Sequence, residues 1–283
     1  MQILLIFAAC FLASAKVILQ SSYAKRNALS LKGSILYNGL AFLVIAAVYM
    51  PIGLYRGIAP STVYYGIAMG VCSIIYQLCY TAAFSTGKMA LTVIFNNFSM
   101  FIPISISVLY FDEPFGVLRI IGTCLVVLSI ILNVGGDDDG RKVSLIWIVC
   151  IIATFFTNGA SAGVQKIYTK LCEVDLLGFV GVTYLTASVL SFAIFPFAGR
   201  RNIRFSKLSV ISACSVGVVL GVFVVLYTYA ISVVPGTLLF PAYNCLVSLA
   251  MSVAGVFLFK EKLSVRQIAG VAVGTLAIIL MSL

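Results

Sequence analysis

Ten apolar runs, each close to the thickness of a bilayer, follow one another along this chain. They lie at about 3–22, 33–54, 61–84, 89–110, 115–134, 143–166, 176–198, 208–232, 237–259 and 265–282. A helix needs roughly 20 apolar residues to cross the hydrocarbon core. The gaps between runs, such as "YRGIAP", "FDEPF" and "KLCEVD", are too short to hold a soluble domain. Charged residues make up only 9% of the 283 residues and hydrophobic ones 62%, against about 25% and 45–50% in a soluble domain. That is too little polar surface to cover a water-facing globule. The sequence predicts an all-α integral membrane protein of ten transmembrane helices, multi-pass in the cell membrane.

The net charge of +10 is scattered over the gaps. Nucleic-acid binding needs a clustered basic face, so that function class is excluded. The eight cysteines form no CxxC pair, and the chain has no histidine. No metal site or cofactor is therefore expected. "ASA" at 13–15 resembles a signal-peptide cleavage site, but no basic residue precedes the apolar run. It reads as a retained first span.

The chain repeats itself. An offset of 148 pairs Leu91 with Leu239, Asn96 with Asn244, Phe111 with Phe259, Glu113 with Glu261 and Gly122 with Gly270. An offset of 145 pairs Ala15, Gln20, Tyr23 and Lys25 with Ala160, Gln165, Tyr168 and Lys170. The reading is two five-span halves, 1–135 and 143–283, joined by a connector at 136–142. Because five is odd, the second half enters the membrane from the opposite side. Inverted repeats suit alternating access around a site near the bilayer midplane.

The ending "LFKEKLSVRQIAGVAVGTLAIILMSL", and more loosely "YFDEPFGVLRIIGTCLVVLSIIL", resembles EamA-type members of the drug/metabolite transporter superfamily. Arg119 stands where Gln267 stands in the second copy. The resemblance implies a ten-helix transporter with a central cavity lined by spans 1, 3, 4, 6, 8 and 9. It implies no particular substrate.

Polar side chains inside spans are costly and mark candidate sites. Asn96, Ser99, Pro103 and Ser107 recur at helical spacing on the fourth span, as do Pro241, Asn244, Ser248 and Ser252 on the ninth. Pro103 and Pro241 each remove an amide donor and loosen their helices. Lys16 and Gln20 on the first span, with Asn158, Ser161 and Gln165 on the sixth, extend the polar set. Lys16 is read as the most deeply placed charge in the chain, a partner for an anionic or zwitterionic ligand or a snorkelling anchor. Tyr80 and Tyr227, with Tyr76, Tyr243 and Phe84, supply amphipathic walls or simple packing. The cavity candidates are thus Lys16, Gln20, Tyr80, Asn96, Asn158, Gln165, Tyr227, Tyr243 and Asn244, and no residue is expected to be catalytic.

All eight acids lie in or beside gaps. Proton-for-cation exchange on an intramembrane carboxylate is therefore disfavoured. A secondary transporter of a neutral, zwitterionic or anionic metabolite fits better. The alternatives are a channel-like or structural membrane protein and, more remotely, an intramembrane enzyme. Glu113 and Glu261 read as caps for the helices that follow them, and Ser264 with Gln267 as a capping box. Gly66/Gly70, Gly159/Gly163, Gly217/Gly221 and Gly270/Gly274 mark close helix approach. The expected partners are a small-molecule substrate and the lipid bilayer, and a homodimer is compatible with the sequence. Counting Lys and Arg gives 13 in the gaps after odd-numbered spans and 4 after even-numbered ones. The positive-inside rule then places both termini outside the cytoplasm, whereas the resemblance implies both inside.

Overall fold

The computed structural model describes residues 2–27, 31–86, 89–133, 144–172, 174–198, 207–259 and 264–282. The connector 136–142, Glu173 and Glu261 lie outside them, as do the side chains of Tyr23, Lys25, Phe84 and Ser252. Eleven α-helices and no strand occur among the described residues. They are α1 (Gln2–Asn27), α2 (Leu31–Arg56), α3 (Pro60–Thr86), α4 (Met89–Phe98), α5 (Phe101–Leu109) and α6 (Val117–Asn133). The second half contributes α7 (Leu145–Leu171), α8 (Leu176–Ile194), α9 (Lys207–Val233), α10 (Gly236–Phe259) and α11 (Val265–Ser282).

Every expected run contains a helix, and one contains two. Six stretches are long and apolar enough to cross a membrane, and four shorter apolar helices accompany them. The fourth run breaks at Ser99–Met100 between α4 and α5. Pro103 has no N–H to offer the carbonyl of Ser99, so the ladder is interrupted one turn before it. In α10 the proline, Pro241, sits near the helix start, and the helix continues through it.

Local chemistry sets the helix starts. Ser144 accepts from Trp147 N at 3.1 Å and Asp175 from Gly178 N at 3.1 Å. The capping box at α11 forms, with Ser264 N donating to Gln267 Oε1 at 2.9 Å and Gln267 N to Ser264 Oγ at 3.3 Å. Outer faces carry exposed Phe11, Leu54, Leu145, Ile146, Val218 and Ile279. Such surfaces suit hydrocarbon, which offers no partner to a polar group.

The most extensive contacts between helices follow an exchange rule. Swapping α1 with α7, α2 with α8, α3 with α9, α4–α5 with α10, and α6 with α11 turns α3–α7 packing into α1–α9, and α3–α8 into α2–α9. It likewise turns α5–α7 into α1–α10, while α2–α8 and α6–α11 map onto themselves. The pattern is the one expected of a two-fold relation between halves. Small residues allow the close crossings. A Cβ on Gly217 would lie 2.6 Å from Ala41 O, one on Gly70 2.6 Å from Thr183 O, and one on Gly159 2.8 Å from Ser99 O. The α2–α8 crossing also depends on Gly53, Gly178 and Gly181, which follow none of the marked spacings. A Cβ on Gly53 would stand 2.6 Å from Gly178 Cα.

Candidate functional site

At the centre, α1, α2, α3, α5, α7, α8, α9 and α10 surround a cavity of about 230 Å³. Both halves contribute. The break between α4 and α5 borders it, with Ser99, Met100 and Pro103 in its lining. Asn158 of α7 closes over that break. Its Nδ2 donates to Ser99 Oγ at 2.7 Å, to Asn96 Oδ1 at 3.2 Å and to Asn96 O at 3.4 Å. Ser99 Oγ in turn donates to Asn96 O at 2.6 Å. Groups freed by the interrupted helix are thereby satisfied by a side chain from the other half, as a low-dielectric interior requires.

Of the expected candidates, Lys16, Asn158, Gln165, Tyr227, Tyr243 and Asn244 line the cavity. Asn96 stands behind Asn158 and holds it in place. Gln20 turns toward α2, where its Nε2 donates to Asn38 Oδ1 at 3.1 Å. Tyr80 stacks on the lining residue Tyr76 with centroids 5.3 Å apart. Gln165 is fastened by a 2.5 Å hydrogen bond from its Nε2 to Thr228 Oγ1 on α9. Asn244 donates to Phe240 O, one turn back, at 2.9 Å.

The expected lining of spans 1, 3, 4, 6, 8 and 9 is extended by Phe42 of α2 and Tyr184 of α8, whose rings lie 5.3 Å apart. Gln77 and Ser73 of α3 also border the cavity. Their polarity in the middle of an apolar run was the available signal. On one wall, Phe223 stacks on Tyr227 at 5.4 Å and 23°, and Tyr243 lies 4.7 Å from Tyr227 and 6.1 Å from Phe223. Three rings from α9 and α10 thus make one aromatic surface.

Next to Gln165, toward the end of α7, the arrangement departs from the sequence reading. Lys166 was counted among the gap residues, but its side chain is fully buried, less accessible than Lys16, and it bonds Glu113 Oε1 at 2.5 Å. The other carboxylate oxygen, Oε2, accepts from Gly236 N at 2.6 Å. Glu113 therefore caps α10 of the opposite half and not α6, the helix that follows it. The turn before α6 presents it this way, with Asp112 at φ +49° and Glu113 N donating to Ser107 O at 3.0 Å. Alongside, Arg119 Nη1 bonds Pro114 O at 2.9 Å and Thr237 Oγ1 at 2.8 Å. Next to the lining residue Gln165, a polar clasp thus joins the two halves. No cluster of metal-ligating side chains occurs among the described residues.

The model of the EamA-like transporter family matches residues 1–135 and again residues 145–283. The chain belongs to the EamA-like transporter family. It is accordingly a multi-pass integral membrane protein and a membrane transporter of the drug/metabolite type. No curated protein sequence matches it. A solved crystal structure 16% identical to it superposes with a TM-score of 0.76, over 98% of this chain and 94% of the other. At that identity the likeness concerns the fold alone.

Proposed function

We propose that this EamA-like protein is a secondary carrier of the cell membrane. It moves a small organic metabolite, neutral, zwitterionic or anionic, by alternating access. Ten crossings in two five-helix halves, 1–135 and 143–283, would face opposite ways, and the exchange rule among helix contacts supports that relation. The observation that carries the reading is the central cavity lined from both halves, with polar groups from the α4–α5 break on one side and an aromatic wall on the other. Ligand sites at the interface of inverted repeats, beside interrupted helices, are the arrangement that alternating access requires.

The clasp supplies the gate. Glu113 belongs to one half, and its partners Lys166 and Gly236 to the other, so rocking the halves apart at this point breaks both bonds. By the repeat offsets Glu113 corresponds to Glu261 and Lys166 to Ser21. The sequence therefore does not repeat the Glu–Lys pair at the equivalent positions. A buried ion pair joining the two halves beside the cavity also favours a carrier over an open channel.

The test is a metabolite panel screened for thermal stabilisation of the purified protein. A ligand bound to the native state at about 100 times its Kd adds about 2.7 kcal/mol. At least one panel member should stabilise the protein, and Ser161→Trp, which fills the cavity, should abolish the effect. Stabilisation that survives the plug, or its absence across the panel, contradicts the reading.

A further inference from the structure

We infer that the cavity is matched to a small organic monocarboxylate with a planar apolar body. This inference rests on the carrier reading above and narrows its substrate class. Its basis is a charge count. Among the described lining residues Lys16 is the one cation, and no Asp, Glu or Arg accompanies it. Among the described residues the Lys16 ammonium has neither a hydrogen bond nor an ion pair. That ammonium shares the cavity with Phe42, Met69, Met100 and aromatic rings, and no described group offsets its charge. A bound carboxylate supplies the missing charge.

Other charge types fit less well. A dianionic phosphate would leave one negative charge over. The arginine fork that grips a phosphate bidentately is not offered. Among the described residues the lining has no arginine, and the N–H of Gly236 at the head of α10 is already taken by Glu113. A zwitterion would bring an ammonium into a cavity that already holds an unmatched one and has no carboxylate to receive it. A cation would double the same problem.

The side chains of Gln77 and Ser161 line the cavity and bond no described residue, leaving donors for the second carboxylate oxygen. The body of the ligand then falls to the rings of Phe223, Tyr227 and Tyr243, whose near-parallel members favour a flat apolar group. A volume of about 230 Å³ falls below the roughly 300–1,000 Å³ of drug-sized pockets, which suits a single ring with a short acidic arm.

The experiment uses five probes built on nearly one skeleton: 3-phenylpropanoate, phenylalanine, 3-phenylpropanamide, 3-phenylpropylamine and 2-phenylethyl phosphate. Each is titrated against the purified full chain by thermal shift, and 3-phenylpropanoate uptake is followed in proteoliposomes. The monocarboxylate should bind at least about tenfold more tightly than the others. Lys16→Met should erase that preference without lowering the unliganded melting temperature, and Lys16→Arg should retain it. Tighter binding of phenylalanine, of the amine or of the phosphate overturns the inference, as does a preference that survives Lys16→Met. If other panel metabolites stabilise the protein and none of these five does, the monocarboxylate assignment fails and the carrier reading stands. If no metabolite at all stabilises it, the carrier reading itself fails.

Discussion

Breaking the clasp with Glu113→Gln should change which face of the membrane the cavity meets. Lys166 has no exposed side-chain area and Glu113 retains 10%, with Nζ and Oε1 2.5 Å apart. Removing one partner of such a pair leaves a buried charge uncompensated, at a cost of about 3–5 kcal/mol. Glutamine keeps the shape and can still accept from Gly236 N, so the lower end of that range applies, about 3 kcal/mol. If the penalty falls on the clasped conformation alone, the ratio of the two access states shifts by about 10²-fold. Ser161→Cys, in a background with the eight native cysteines replaced, reports that ratio. An impermeant thiol reagent applied from the face bearing the α5–α6 turn should label Cys at 161 about 10² times faster in Glu113→Gln. Adding Lys166→Met removes the stranded ammonium, so the double variant should recover most of the stability lost by the single one. A lowered Tm with an unchanged labelling rate from that face would refute the gate and make the pair a staple of the fold.

Tyr168→Phe should cost about 1–3 kcal/mol in detergent melts. The hydroxyl bonds Thr62 Oγ1 at 3.0 Å and accepts from Asp175 N at 3.0 Å, while the stack on Phe179 at 4.3 Å remains. Gly181→Ala should destabilise by about 1–3 kcal/mol, because the new Cβ would lie 2.8 Å from Met50 Cα and N and force α2 off α8. An unchanged melting temperature in either variant contradicts the packing described. A phosphatase reporter fused after Leu283 should be active outside the cytoplasm, following the basic-residue count. Burial of Lys166 in an ion pair removes one of the opposing residues and sharpens that bias. A cytoplasmic reporter contradicts it.

Hydropathy alone made the helices legible, because hydrocarbon imposes one requirement on every span. Errors arose where a charge was read locally. Lys166 looked like the end of a span, yet α7 runs on to Leu171 because the ammonium finds its counter-charge inside the protein. Glu113 looked like a cap for its own neighbouring helix. Its partners lie 53 and 123 residues away, a separation no local spacing encodes. Pro103 announced a loosened helix, but the break itself depends on Asn158 arriving from the other half to satisfy it. Helical spacing put Gln20 on the same polar face as Lys16. Gln20 instead bonds Asn38 on α2, a partner that helical spacing within α1 does not encode. Phe42 and Tyr184 escaped notice because aromatics in nearly wholly apolar spans read as packing.

Counterflow in proteoliposomes tests the central claim most directly. Vesicles holding the purified protein are preloaded with an unlabelled solute that stabilises it, then diluted into trace labelled solute. A two-faced binding chamber predicts transient, saturable accumulation above equilibrium, driven by the exit of the preload and abolished by Ser161→Trp. Uptake that rises linearly with concentration and ignores what the vesicles contain would mean a passive pore, and would contradict the account.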